Sequence, residues 1–316
     1  MKHNKLTIVS VFGHNDGSSA IPSIIKSMQE LPGSRGLLLS IKKPENLPTS
    51  VEWKSIYFLN YKQYSVFMMH ALYAYIDTEY CLVVQDDSWV LNGNKFTKEF
   101  YEYDYIGPIS HCGLRFTEDP HVPIKNKKEN LTFDHLYLNY NWVKEPNVCR
   151  PNTLVVQNGG FSLRSKRFLE ACNVHGVIHT SPDPWILKND HGITNQWNHN
   201  WNEDMHLAGI LRPILENFGY KFAPLDIASK FGFEYMDPLW HTGINFNNII
   251  GHHAKSRVLL PNNVVSIPNN THDMRNSTIL EKEFLNWLTT KKGYTVSVNT
   301  DWVSAFSTPN QAYNSN

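Results

Sequence analysis

The stretch Tyr80-Cys-Leu-Val-Val-Gln-Asp-Asp-Ser-Trp89 decides how the chain reads. Apolar and aromatic residues lead into Val84, enough for a short buried strand. At its end the chain turns abruptly polar, with adjacent carboxylates at Asp86 and Asp87. In open α/β sheets, ligands bind beyond the carboxyl ends of parallel strands. Paired Asp side chains there are hard oxygen donors, suited to Mg²⁺ or Mn²⁺ carrying a phosphorylated substrate. A plain turn explains Asp and Ser equally well, so the motif is weighed with the chain around it.

Upstream, Tyr64 to Ile76 reads as a helix, with Phe67, Met68, Ala71, Leu72 and Tyr75 on one face. Leu6-Thr-Ile-Val-Ser-Val-Phe12 reads as the first strand, ended by Gly13, and Pro22 to Glu30 as a helix. Gly36 to Ile41 is a second strand and Ser55 to Leu59 a short third. Strands alternating with helices predict right-handed crossovers and a mostly parallel sheet. Downstream, residues 100–148 read as irregular loops. Thr153-Leu-Val-Val-Gln157 is a strand breaking at Gly159-Gly160, followed by a helix from Lys166. The strands at 6–12, 36–41, 80–84 and 153–157 are expected in one sheet, with Asp87 and Gly160 facing a common cleft. Asn202-Glu-Asp-Met-His opens another helix, its acidic first turn suiting the helix dipole. Phe231 to Glu234 reads as a strand, Gly251-His-His253 follows, and Ile279 to Thr290 reads as a late helix. One catalytic domain over 1–260 and a C-terminal extension over 261–316 is the expected organisation.

Length and composition narrow the function classes. A chain of 316 residues, 41% hydrophobic and 18% charged, can bury a full core. Its formal net charge of zero offers no basic field for nucleic acid. The 13% aromatic content, with nine Trp and fifteen Tyr, suits a sugar-handling cleft as well as a core. Four widely spaced cysteines, Cys81, Cys112, Cys149 and Cys172, form no CxxC pair and read as reduced thiols. No run of eighteen apolar residues predicts a membrane span, and the N-terminal residues lack a signal-peptide core. A cytoplasmic setting is expected.

Taken in order, these segments resemble a family of glycosyltransferase-like proteins of GT-A fold, long described only as a domain of unknown function. The likeness runs from about Tyr61 to His253. It is carried by Thr78-Glu-Tyr-Cys-Leu-Val-Val-Gln-Asp-Asp87, Phe100-Tyr-Glu-Tyr-Asp-Tyr-Ile-Gly-Pro108, Asn158-Gly-Gly-Phe-Ser-Leu-Arg-Ser165, Asn202-Glu-Asp204, Leu211-Arg-Pro-Ile-Leu-Glu216 and Phe231-Gly-Phe-Glu234. The Asn-Gly-Gly-Phe-Ser-Leu-Arg-Ser string is the most specific of these. The resemblance implies a GT-A-like, Rossmann-like α/β fold: a mixed, mostly parallel sheet flanked by helices.

It also implies the chemistry. Gln85-Asp86-Asp87 takes the place of the DxD element, with Gln at its first position. Asp87 then matches the direct ligand of a divalent cation, Mn²⁺ or Mg²⁺, completed by a histidine at His252 or His253. Gln85 is expected at a ribose hydroxyl, since an amide both donates and accepts. An inverting transfer needs a positioned carboxylate base; Asp204 is assigned that role and Glu203 an orienting one. Capping of the helix dipole is the competing explanation of this acidic pair. Asp86, Asn158, Gly159, Gly160, Arg164, Phe12 and Gly13 are placed with the donor- and acceptor-binding residues. For Arg164 a diphosphate oxygen and a core carboxylate stand as alternative partners. The partners implied are a UDP- or GDP-linked sugar and a glycan or other hydroxyl acceptor, without nucleic acid. A non-catalytic carbohydrate- or nucleotide-binding protein and a metal-dependent hydrolase are the competing readings.

Overall fold

The computed structural model describes residues 2–116, 131–135, 153–177, 202–234, 241, 243–253, 257–268 and 279–299. At its centre lies a six-stranded mixed sheet. It is built from β1 (Leu6–Phe12), β2 (Arg35–Ser40), β3 (Val51–Ser55) and β4 (Tyr80–Val84), with β6 (Tyr105–Ile106) and β10 (Phe161–Ser165). Their spatial order is β3-β2-β1-β4-β10-β6. The first four run parallel, and β10 is antiparallel to both β4 and β6. The expected α/β class, with a mixed and mostly parallel sheet, is the one observed.

Why β1 is buried throughout follows from what covers it. Leu6 and Ile8 pack with Ile24 of α1 (Ile21–Glu30) in one buried cluster. Val9 and Val11 point the other way, into a cluster with Met68 of α2 (Tyr61–His70) and Leu169 of α3 (Lys166–Val174). A strand covered on both faces has no use for polar alternation. The start of α2 is set by a capping box, in which Asn60 and Gln63 each accept from the other's backbone N–H.

Several sequence expectations need correction. The third strand lies at 51–55, not 55–59, because Val51 to Ser55 pair with Gly36 to Ser40 of β2. The apolar residues after it form the loop into α2, where Ile56 is buried while Tyr57 and Phe58 face solvent. The helix read at 64–76 starts three residues earlier and ends at His70, with a 3-10 turn over Leu72–Tyr75. The strand at 153–157, here β9 (Thr153–Gln157), belongs to a second sheet, paired to β7 (Ile109–Phe116). Its expected place in the central sheet is taken by β10, which follows the glycine pair. The span read as irregular holds β6, β7 and β8 (Leu131–His135).

The second sheet runs β5-β12-β11-β7-β8, with β5 (Ser88–Val90), β11 (Gly232–Phe233) and β12 (Gly251–His253). Residues 257–299 add a three-stranded sheet of β13 (Val258–Leu260), β14 (Val264–Pro268) and β15 (Thr295–Asn299), and a helix over Ile279–Lys292. Their apolar side chains share one cluster with Trp89, Leu91, Phe233 and Ile249. The boundary expected at 260 therefore falls inside the β13–β14 hairpin. The polar tail beyond 299 lies outside the described residues.

Candidate active site

β4 delivers Gln85, Asp86 and Asp87 to the carboxyl edge of the parallel strands. Because Phe161 of β10 is paired to Val84, the glycines just before Phe161 lie across from the residues just after Val84. Ser88 ties the two together: its Oγ donates to the Gly160 carbonyl at 2.8 Å and accepts from the Gln85 N–H at 2.7 Å. β5 then pairs antiparallel with β12, setting His253 opposite Ser88 and His252 opposite Trp89.

Strand alternation separates the two histidines. His253 turns to the acidic edge, with Nε2 at 3.5 Å from Asp87 Oδ1 and 3.2 Å from Gln85 Oε1. His252 turns into the core, its ring 4.0 Å from Trp89 and packed on Phe233 and Phe284. Burial, then the charges of Arg257 and His253, hold its imidazole well below the usual histidine range. Of the two histidines placed as metal ligands, His253 alone meets Asp87; His252 is a core residue among aromatic rings.

Asp86 faces away from that contact. Its carboxylate accepts from Ser19 Oγ at 2.9 Å, while its carbonyl accepts from the Leu259 N–H at 3.1 Å. Burial first, then the Asp87 charge beside it, raise the Asp86 carboxyl above the usual carboxylate range.

The second acidic element sits at the start of a short helix, α4 (Glu203–Met205), which continues as a π-helical turn over His206–Ile210. Glu203 is ion-paired with the fully buried Arg164 at 3.0 Å. Arg164 also donates to Ser162 Oγ and lies over the Tyr105 ring. It meets no solvent, so of the two partners considered it takes the core carboxylate, not a diphosphate. Asp204 accepts from the Gly159 N–H at 3.0 Å and from the Met205 N–H at 2.7 Å. Burial, and after it the neighbouring Glu203 charge, push its carboxyl up to about 6. Each oxygen keeps a lone pair for a further donor.

The glycine pair joins these halves. A Cβ on Gly160 would stand 2.4 Å from His253 Nε2, and one on Gly159 would stand 2.5 Å from Glu203 Oε1. One glycine makes room for the imidazole and the next for the second acidic pair, on Cα atoms about 3.8 Å apart. Asn158, buried beside them, accepts from the Gly160 N–H at 2.7 Å and donates to Glu234 Oε1 at 3.2 Å. Gly13 has a different cause: Leu59 occupies the place of its Cβ, and Phe12 is part of the core.

Two neighbours escaped the sequence reading. Tyr64 accepts from Gln85 Nε2 at 3.2 Å; in the sequence it marks only the start of a helix. Glu234 closes the Phe-Gly-Phe-Glu string, where it carried no assigned role. Among the described residues no three His, Cys, Asp or Glu side chains converge as a metal-ligand cluster.

Residues 49–253 match the model of a family described as "Protein of unknown function (DUF5672)". The chain belongs to that family. No curated protein matches this DUF5672 chain. Among solved structures it is similar to the galactosyltransferase LgtC in complex with donor and acceptor sugar analogues. That likeness is at 13% identity, covers 90% of this chain and 96% of that one, and has a TM-score of 0.41. An active-site mutant of LgtC is similar at 13% identity over 79% of this chain and 86% of that one, with a TM-score of 0.36. Neither likeness bears on substrate or mechanism in the DUF5672 chain.

Proposed function

We propose that the protein is a metal-dependent glycosyltransferase of GT-A type, moving a sugar with inversion from a nucleotide-sugar donor to a hydroxyl acceptor. The observation that carries this reading is the meeting of Gln85, Asp87 and His253 at the carboxyl edge of the parallel strands. The sheet order, with an antiparallel strand inserted beside β4, supports the same fold assignment.

The donor set fits a divalent cation. Gln85 Oε1 and Asp87 Oδ1 lie 3.2 Å and 3.5 Å from His253 Nε2. Adjacent donors on an octahedral cation are about 3 Å apart when each bond is roughly 2.1 Å. Oxygen donors with one imidazole suit Mn²⁺ or Mg²⁺. Three protein donors on one side leave positions for diphosphate oxygens. Bound there, the cation would neutralise charge developing on the leaving diphosphate.

The chain's own residues supply the remainder. Asp204, the base of this reading, takes the proton of the acceptor hydroxyl; its raised pKa makes it a stronger base than an exposed carboxylate. Glu203, ion-paired with Arg164, holds the helix start and the Gly159 turn in place. The two glycines let His253 and the second acidic pair close on the same short stretch of backbone.

The test is thermal stabilisation by UDP, GDP and CDP with and without Mn²⁺, since a ligand bound only by the native state raises its stability. One nucleotide should stabilise the parent in a Mn²⁺-dependent way, and Asp87→Asn should abolish the effect without unfolding the protein. Equal responses in parent and variant would remove Asp87 from the site. Sugar transfer with a glycoside acceptor panel separates the enzyme from a non-catalytic binder. None of the described helices is long and apolar enough to cross a membrane.

A further inference from the structure

The metal reading leaves one point of chemistry open. Gln85 is an amide, and an amide rotated by half a turn presents NH₂ where its oxygen was. Only the oxygen serves a cation or accepts from an imidazole N–H. Some neighbour must fix the choice.

We infer that Tyr64 is a positioning residue that holds the Gln85 amide with its oxygen toward His253 and the cation site. The inference rests on the metal reading above. Tyr64 reaches the amide nitrogen at 3.2 Å, while the amide oxygen lies 3.2 Å from His253 Nε2 on the other side. A phenol by itself does not choose, because it donates as readily as it accepts. What chooses is the field around the hydroxyl. Glu203 and Asp204 both act on Tyr64 electrostatically, with the buried Arg164 opposing them. A net negative field at the hydroxyl favours the positive, N–H end of the amide beside it over the carbonyl end. The nitrogen of the amide then turns to Tyr64, and the oxygen to His253.

This arrangement also accounts for Gln at a position where an acidic residue is the simpler cation ligand. A carboxylate there would face Tyr64 with no N–H to offer, and would crowd Asp86, Asp87, Glu203 and Asp204 with a further negative charge. The amide carries no charge and satisfies both neighbours, provided its orientation is held.

The test is calorimetric binding of Mn²⁺ with whichever of UDP, GDP and CDP the parent binds. It uses four proteins: parent, Tyr64→Phe, Gln85→Glu and the double variant. Phe keeps the ring and removes only the hydroxyl. Tyr64→Phe should weaken Mn²⁺-dependent nucleotide binding about three- to tenfold, the range of one neutral hydrogen bond. In the Gln85→Glu background the same change should matter less than twofold, because a carboxylate presents oxygen whichever way it turns. No effect of Tyr64→Phe would overturn the inference. An equal loss in both backgrounds would overturn it too, since a packing role does not depend on what stands at position 85. Absence of Mn²⁺-dependent binding in the parent itself would remove the metal reading and the inference together, and would be seen before any variant is compared.

Discussion

Gly160 has room for hydrogen only, because the His253 ring fills the place of a Cβ. Gly160→Ala should displace the imidazole from Asp87 and cut Mn²⁺-dependent nucleotide affinity by at least about tenfold, the effect of roughly 1.4 kcal/mol. Gly159→Ala meets Glu203 and Arg164 instead. It should leave nucleotide binding close to the parent's while slowing transfer. The reverse pattern in calorimetry and rate assays would show that the two glycines have been assigned to the wrong halves. At Asp204, replacement by Asn keeps the size but cannot take a proton. It should lower the transfer rate by about 10²- to 10⁴-fold with donor affinity unchanged. Because the carboxyl titrates at about 6 and must be ionised to act, kcat/KM in the parent should fall as pH drops below that value. Folding raises this pKa, so Asp204 favours the native state increasingly as pH falls from about 6 toward its unfolded value. A rate profile flat through pH 6, or an Asp204→Asn variant at parental rate, would move the base elsewhere.

Between elements, the sequence was most legible where one pattern served one purpose. β1, β4 and α1 were read within a residue or so, since mostly apolar, β-branched runs and a helical stripe mark strands of the central sheet and the helix that covers it. β3 slipped by four residues because Tyr57, Phe58 and Leu59 look like a strand, while the residues that pair with β2 include Glu52 and Lys54. β10 was hidden by its own chemistry: Ser162, Arg164 and Ser165 are polar yet buried, sustained by hydrogen bonds that composition does not reveal. The acidic pairs and glycines were visible as residues, but their pairing across the sheet was not. His252 and His253 are adjacent letters, and only the facing strand β5 tells them apart. The buried Arg164–Glu203 pair couples β10 to α4. Arg164→Met should cost about 3–5 kcal/mol in urea unfolding, because it leaves Glu203 charged and buried without its cation. A loss under about 1 kcal/mol would mean that Glu203 escapes to water or binds a proton.

At the scale of the molecule, the described residues 257–268 and 279–299 pack behind the candidate site. Phe284 is fully buried against His252 and Phe233, Trp89 donates to the Tyr294 hydroxyl at 3.0 Å, and Lys292 donates to the Leu91 carbonyl at 2.7 Å. Calorimetric unfolding should therefore show one cooperative transition, and Phe284→Ala should lower its stability by about 3–5 kcal/mol. Two separate transitions, with only the later segment affected by the variant, would make that segment an independent unit. The contact between the Leu259 N–H and the Asp86 carbonyl carries the point further. A ribosome builds the chain from one end, and the acidic turn emerges long before the strand that braces it from behind. Trp89 waits a further 205 residues for the hydroxyl that receives its indole N–H. Until residue 253 is added, a nascent chain holds Gln85, Asp86 and Asp87 yet lacks both His253 and the Leu259 brace. If Gln85, Asp87 and His253 hold the proposed cation, a ribosome-bound chain stalled before Gly251 should hold none.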